Sequence, residues 1–384
     1  MTSKEWLKMK KMLAFLTAAS LTLASVSQAV ACTSILITDT EGRAYHGRTL
    51  EYSALLPMDM TYLPAGMKVI SLTPSGNQGV TFNTKYPILG MTAKVVTESK
   101  QLTVAEGIND QGLSFSANWL NGTQSPVVGK ENSKVLAAND LGAWVLGSFR
   151  TAQEVKDALS SGKIEFWVPA KNTLAPDTPL PLHYAINDKN GGSIVVEFLG
   201  GTMQVYDNPV GVMTNGPAFS WHLENLNNYT FTNVDKNTGQ LGKLKLQTQD
   251  AGIALTSLPS AETTQGRFVK AAFYANYVRK AKTPDEAVTT LAHIMNNFDR
   301  PYDLTVDAAG GMGDGVTRKN SSEVTVWTTL QDLSRNLMYF RSINAMNWSV
   351  IDMNKLKDVK QIKSISTFAV DQAGADVFKL FYAN

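Results

Sequence analysis

One cysteine in 384 residues, Cys32 in the stretch QAVACTS, constrains this chain more than any other feature. A lone cysteine excludes an internal disulfide, so the fold must rest on an apolar core, and a 43% hydrophobic content suffices for one. The cysteine also follows Ala29-Val30-Ala31, the small-residue pattern of a secretory cleavage site.

Upstream, Lys4, Lys8, Lys10 and Lys11 precede LAFLTAASLTLASV, an apolar run of about fourteen residues and too short to span a bilayer. Residues 1–31 are therefore expected to be a secretory signal peptide that is removed, leaving Cys32 as the first residue of an exported product, periplasmic or extracellular. Removal takes away four lysines and Glu5, so the formal charge falls from +2 to about −1. No nucleic-acid or anionic-membrane footprint is left, and no later apolar run is long enough for a membrane span.

Three readings of Cys32 compete: a buried small hydrophobe, a lipidated lipoprotein cysteine, and an N-terminal nucleophile. Ala29 stands where a lipoprotein signal usually has leucine. As a nucleophile, the residue does two jobs, because a free α-amine with a pKa near 8 is a usable base for the thiol beside it. That base exists only once the peptide bond before Cys32 is cut, so cleavage would also be activation. Lipidation would block both sulfur and amine, so the second and third readings exclude each other.

The rest of the chain reads as mixed α+β, strand-rich, in one domain over 32–384. TSILITDTEGRAYHGRTL alternates about a Thr-Glu-Gly turn and predicts a hairpin that starts at the cysteine. LTVAEGINDQGLSFSANW, LHYAIND, SIVVEFL, MQVYD, GVMTN, SEVTVWTTLQDL, NLMYFRSI and WSVIDM read as further strands. Helices are expected over NDLGAWVLGSF, TAQEVKDALSSG with a Thr151/Glu154 capping box, RFVKAAFYANYVRKA, and TPDEAVTTLAHIMNNF with Thr283 as N-cap and Pro284 at N1. Residues 227–249 show no clear periodicity and suggest a functional loop or interaction arm. DAAGGMGDG at 307–315 lacks a phosphate-loop lysine and reads as a loop.

His46, His183, His222 and His293 have no metal-ligand spacing, so no metal or cofactor is expected and each reads as a packing or surface residue. Ser160-Ser161-Gly162-Lys163 matches S-x-x-K, but neither S-D-N nor K-T-G occurs, which argues against a serine penicillin-recognising enzyme.

CTSILITDTEGRAYHGRTLEY, EGINDQGLSFSANW, GAWVLGSFRTAQEVKDAL, the run from LPLHYAIND through NGPAFSWHLENL, SLPSAETTQGRFVKAAFY and SSEVTVWTTLQDLSRNLMYF together resemble the choloylglycine hydrolase family, in order and over essentially all of the chain after residue 31. That family includes penicillin V acylases and conjugated bile salt hydrolases. The resemblance implies a four-layer αββα N-terminal nucleophile sandwich that hydrolyses linear amide bonds of small N-acyl substrates without a cofactor. Cys32 matches the nucleophile, and Arg48 the arginine beside it.

Glu51 stands where the family usually has aspartate toward the terminal amine. Asn215 in VMTNGP matches the asparagine that faces the oxyanion, and Arg267 in TTQGRF the arginine near the nucleophile. The second oxyanion N–H falls on Trp119 by ungapped counting, or on Asn118 with a one-residue shift, and Trp119 would wall the pocket. Trp119 and Glu51 together favour a penicillin V acylase type, with N-acyl homoserine lactones as possible substrates, over a bile salt hydrolase. A Cys32-lipidated protein that binds an acyl ligand is the non-enzyme alternative. Residues 227–249 match the family's assembly arm, which implies a homotetramer.

Overall fold

A computed structural model describes residues 31–53, 56–93, 102–172, 178–229, 238–247, 252–308, 320–373 and 381. Of the expected signal segment, 1–31, residues 1–30 lie outside them. Strand β1 (Cys32–Thr38) turns through residues 39–43 into β2 (Ala44–Tyr52), pairing Cys32 with Leu50 and Ser34 with Arg48. The hairpin predicted from period-two alternation thus begins on the cysteine itself.

Two antiparallel sheets build the centre. The first runs in the order Val212–Met213, β1, β2, Asn320–Asp332, Leu337–Ser342, Ser349–Asp352, with Thr305–Ala308 paired to the start of the long strand. The second has eight strands and carries Leu113–Trp119 between Thr103–Asn109 and Leu182–Asp188. Alternation along each strand sends one set of side chains between the sheets and the other toward helices.

Three apolar clusters follow from that geometry. Leu50, Met60, Leu89, Met91, Trp327 and Phe340 pack between the sheets. Ile35, Tyr45, Phe268, Leu291 and Met295 join the first sheet to helices Thr264–Tyr277 and Pro284–Met295. Phe115, Tyr184, Leu141 and Val155 join the second sheet to Leu141–Ser148 and Ala152–Ser160. Helix, sheet, sheet and helix make the four-layer αββα sandwich that the resemblance implied. Contact between layers is close: a Cβ on Gly47 of β2 would come within 2.9 Å of Met295 Cγ.

Caps form where expected. Thr151 and Thr283 accept from Glu154 N–H and Glu286 N–H at 3.1 and 3.2 Å. Both glutamates reach one residue further back than a capping box requires, to the N–H groups of Arg150 and Lys282 at 2.8 Å. Helix Thr264–Tyr277 starts three residues before RFVKAAF because Thr263 caps it.

Several features depart from the sequence reading. Met58–Leu63 and Ile88–Ala93 are strands of the second sheet that it did not mark, since both are almost wholly buried and show little alternation. Residues 238–247 form a short hairpin within the stretch read as aperiodic. Of the stretch read as a glycine-rich loop, Asp307 and Ala308 instead end the strand Thr305–Ala308, and residues 309–315 lie outside the described residues.

Candidate active site

Cys32 opens β1 with 1% exposure, and its Sγ faces the layer between the sheets. Arg48, sixteen residues on, returns beside it because β2 is antiparallel and places Arg48 opposite Ser34 on the same face. Its Nη2 lies 3.7 Å from Cys32 Sγ and also donates to the Ala117 carbonyl oxygen. Nε donates to Asn118 Oδ1 at 3.1 Å, and Nη1 to Glu106 Oε2 at 3.1 Å and to Ala105 O at 3.3 Å. Each guanidinium nitrogen is engaged, and the Trp327 ring covers the ion at 5.0 Å.

Two effects oppose each other at the thiol. Burial pushes the Cys32 pKa up, and it outweighs the Arg48 guanidinium, which draws it down; the Glu51 charge pushes the same way as burial. The resting sulfur is therefore a protonated thiol that needs a base.

The backbone of Cys32 is addressed from the other side of the strand. Asn215, just past the short Val212–Met213 strand, accepts from Cys32 N–H through Oδ1 at 2.8 Å and donates through Nδ2 to Trp119 O at 3.0 Å. Arg267, in the first turn of its helix, donates to Asn215 Oδ1 at 2.8 Å, to Cys32 O at 2.6 Å and to Thr33 Oγ1 at 2.8 Å. Burial and the neighbouring Arg300 lower its pKa to about 10, which leaves it charged at neutral pH.

Glu51 lies beside Cys32 on β2, its N–H donating to Ala31 O at 2.8 Å. Its Oε1 accepts from Thr325 Oγ1 at 3.2 Å, and its Oε2 is buried with no hydrogen-bond partner among the described residues. Burial raises its pKa against the pull of Arg267 and Arg300. An acceptor thus stands unused next to the Cys32 main chain.

The six residues named from the sequence come together here, with one change at Trp119. It supplies its carbonyl to Asn215, and its ring is 6% exposed with Nε1 donating to Asn121 Oδ1 at 2.7 Å. Strand alternation puts that side chain on the face of Phe115 and Ala117, opposite the face from which Asn118 meets Arg48. Asn118 faces the sulfur side instead, its Oδ1 taken by Arg48 and its Nδ2 by Met213 O and Thr214 O at 3.3 and 2.9 Å.

Sequence reading missed the polar layer behind the site. Glu106 Oε1 accepts from Thr329 Oγ1 and, at 2.9 Å, from Gln331 Nε2. Gln331 Oε1 faces His46 Nδ1 at 3.0 Å, and His46 Nε2 faces Ser34 Oγ at 2.7 Å. Burial lowers the His46 pKa to about 4, so the ring is a neutral hydrogen-bond bridge rather than a packing residue. Alternating Ser114, Ser116 and Asn118 in a strand whose every residue is buried was the available signal.

Residues 32–364 match the family described as linear amide C-N hydrolases, choloylglycine hydrolase family. This chain belongs to the choloylglycine hydrolase family. A bile salt hydrolase/transferase of Clostridium perfringens is 29% identical over 87% of this chain and 98% of its own length. A conjugated bile acid hydrolase of Lactobacillus acidophilus is 32% identical over 77% and 88%, and a penicillin V acylase of Pectobacterium atrosepticum 22% over 91% and 88%. The crystal structure of a mutant conjugated bile acid hydrolase from Clostridium perfringens superposes with a TM-score of 0.71 at 25% identity, covering 87% of this chain and 96% of that one. Penicillin V acylase from Agrobacterium tumefaciens gives 0.68 at 24%, covering 90% and 94%, and shares the fold. Choloylglycine hydrolase membership makes this chain a linear amide hydrolase.

Proposed function

We propose that cleavage after Ala31 frees the Cys32 amine in an exported protein, and that the mature enzyme removes the acyl group from small N-acyl amines in the manner of a penicillin V acylase. The observation that carries this is the double grip on one residue: Arg48 faces the Cys32 sulfur while Asn215, Arg267 and Ala31-bound Glu51 surround its nitrogen and carbonyl. Sulfur and nitrogen of the same residue face one site, as a nucleophile and its own base require.

In this mechanism the Cys32 amine takes the thiol proton, and the thiolate, paired with Arg48, attacks the acyl carbonyl. Asn215 Nδ2 turns from Trp119 O to the oxyanion, with the Trp119 N–H as second donor. The ammonium, held by the free Glu51 Oε2, protonates the leaving nitrogen, and water then releases the acyl group.

The hairpin Thr238–Gln247 exposes Leu241, Leu244 and Leu246, which supports its reading as an arm exchanged within a homotetramer.

The experiment is intact mass of the exported protein followed by paired turnover assays on penicillin V, a long-chain N-acyl homoserine lactone and a taurine-conjugated bile salt. The expected result is a mass that starts at unmodified Cys32 and faster release from the first two. The higher identities to bile salt hydrolases favour the second reading, conjugated bile salts, and faster bile salt turnover would establish it.

A further inference from the structure

Asn215 must hold its amide at the nucleophile although little of the backbone ladder reaches it. Val212–Met213 pairs with β1 only through Ile35 and Ser34, and the chain then leaves the sheet. Two buried imidazoles hold the carbonyl oxygens on either side of the Asn215 N–H. His183 Nε2 lies 3.1 Å from Thr214 O, and His222 Nε2 lies 2.9 Å from Asn215 O. A carbonyl only accepts, so each Nε2 carries hydrogen.

Both arms lead to Glu197, which is wholly buried. Its Oε1 lies 2.9 Å from His183 Nδ1, and this contact fixes which way the ring faces. The same carboxylate accepts from Phe219 N–H at 3.0 and 3.2 Å. Phe219 begins the short helix Phe219–Asn225 that carries His222, whose ring is stacked on Phe268 at 4.4 Å between centroids. Burial lowers the His222 pKa to about 4, so it acts as a neutral donor. Asn118 completes the hold on Thr214 O from the second sheet.

We propose that Glu197, His183 and His222 form a positioning clamp that aims the Asn215 side chain at the Cys32 nitrogen and the oxyanion, setting turnover without touching substrate. The clamp rests on the reading above in which Asn215 serves the reaction. It spans three elements, the strands Leu182–Asp188 and Ser193–Leu199 and the helix Phe219–Asn225, and converges on two adjacent peptide groups.

The test is kcat and KM for His183→Phe, His183→Gln and Glu197→Gln, each also made in an Asn215→Ala background. His183→Phe removes the Nε2 donor to Thr214 O and the Nδ1 contact to Glu197, and is expected to lower kcat about 10- to 100-fold with KM within about 3-fold, since a misplaced oxyanion donor acts on the transition state. His183→Gln keeps an N–H for Thr214 O and is expected to recover most of that loss. In the Asn215→Ala background His183→Phe should cost less than about 3-fold more, because residues acting through one group are not additive.

Full turnover by His183→Phe beside a crippled Asn215→Ala, or losses that multiply in the double variant, would overturn the clamp alone. Full turnover by Asn215→Ala would overturn the reading beneath it and the clamp with it. Should His183→Phe fail to fold, nitrogen NMR of histidine-labelled native enzyme decides, the chain having only four histidines. A proton on His183 Nε2, as donation to Thr214 O requires, supports the clamp, and a bare Nε2 overturns it.

Discussion

Arg48 Nη2 lies 3.7 Å from Cys32 Sγ, with both side chains sealed from solvent. The guanidinium is the main influence lowering the thiol's pKa, and burial still wins. Because Arg48 also joins Glu106, Asn118 and Ala117, it is a structural hub as well as a counterion.

Arg48→Lys keeps the charge and loses the planar fork. Stability should drop by about 2–4 kcal/mol as Glu106 and Asn118 lose partners, and iodoacetamide should alkylate Cys32 about tenfold more slowly at pH 8. Urea unfolding and alkylation rates check the two parts separately.

Glu51→Gln should move two quantities in opposite directions. The Glu51 charge pushes the thiol pKa up, so its removal lowers that pKa and speeds alkylation near neutral pH. Turnover should nevertheless fall about 10- to 100-fold, since the terminal ammonium loses its anionic acceptor. Parallel changes in alkylation and kcat would contradict the assignment.

Asp140→Asn should stabilise the protein above pH 6. Burial raises the Asp140 pKa to about 6 from the usual range near 4, so the folded state holds this proton more tightly than the unfolded chain. Its contribution to stability is greatest below pH 4 and is lost as pH rises to about 6. In the variant that slope vanishes, and the gain at pH 8 is about 1–3 kcal/mol. Asn139 Oδ1, buried without a partner among the described residues, can accept from the new amide. Melting temperatures of both proteins at pH 4.5 and 8 provide the comparison.

Gly90→Ala should abolish soluble folding. Gly90 and Gly107 face each other across two strands, and a Cβ on Gly90 would overlap the Glu106 carbonyl oxygen. The backbone displaced is that of Glu106, the partner of Arg48. A loss above about 3 kcal/mol is expected, as for other overpacked core sites, and expression yield with far-UV circular dichroism reads it.

If the proposed arm holds a tetramer, Leu241→Asp with Leu244→Asp should turn it into monomers while the active site stays intact. Both leucines are more than 60% exposed on the hairpin at 238–247, and charges there cannot be buried unpaired in an interface. Sedimentation velocity at micromolar concentration gives the answer, and a native protein already monomeric would refute the arm.

The hairpin at Cys32 and the capped helices could be read from alternation and caps because each is a local pattern with one physical cause, while the order of the four layers came from resemblance. Arg48, Asn215 and Arg267 came only from resemblance; the hairpin register explains Arg48 in hindsight, whereas 183 residues separate Cys32 from Asn215. Strands such as Ile88–Ala93 escaped because full burial erases the alternation that marks a strand. Glu106, Gln331, His183 and Glu197 escaped for a related reason: a polar residue on a buried face looks like an exposed one until the layer opposite is known.

The odd spacing of Arg48 and Glu51 along β2 turns the strand into a partition. Positions three apart point to opposite faces, so the cation meets Cys32 from between the sheets and the carboxylate from the helical side. The sulfur is consequently tuned from both sides of one strand, by a cation that lowers its pKa and a carboxylate that raises it, so a substitution on either face reaches the nucleophile.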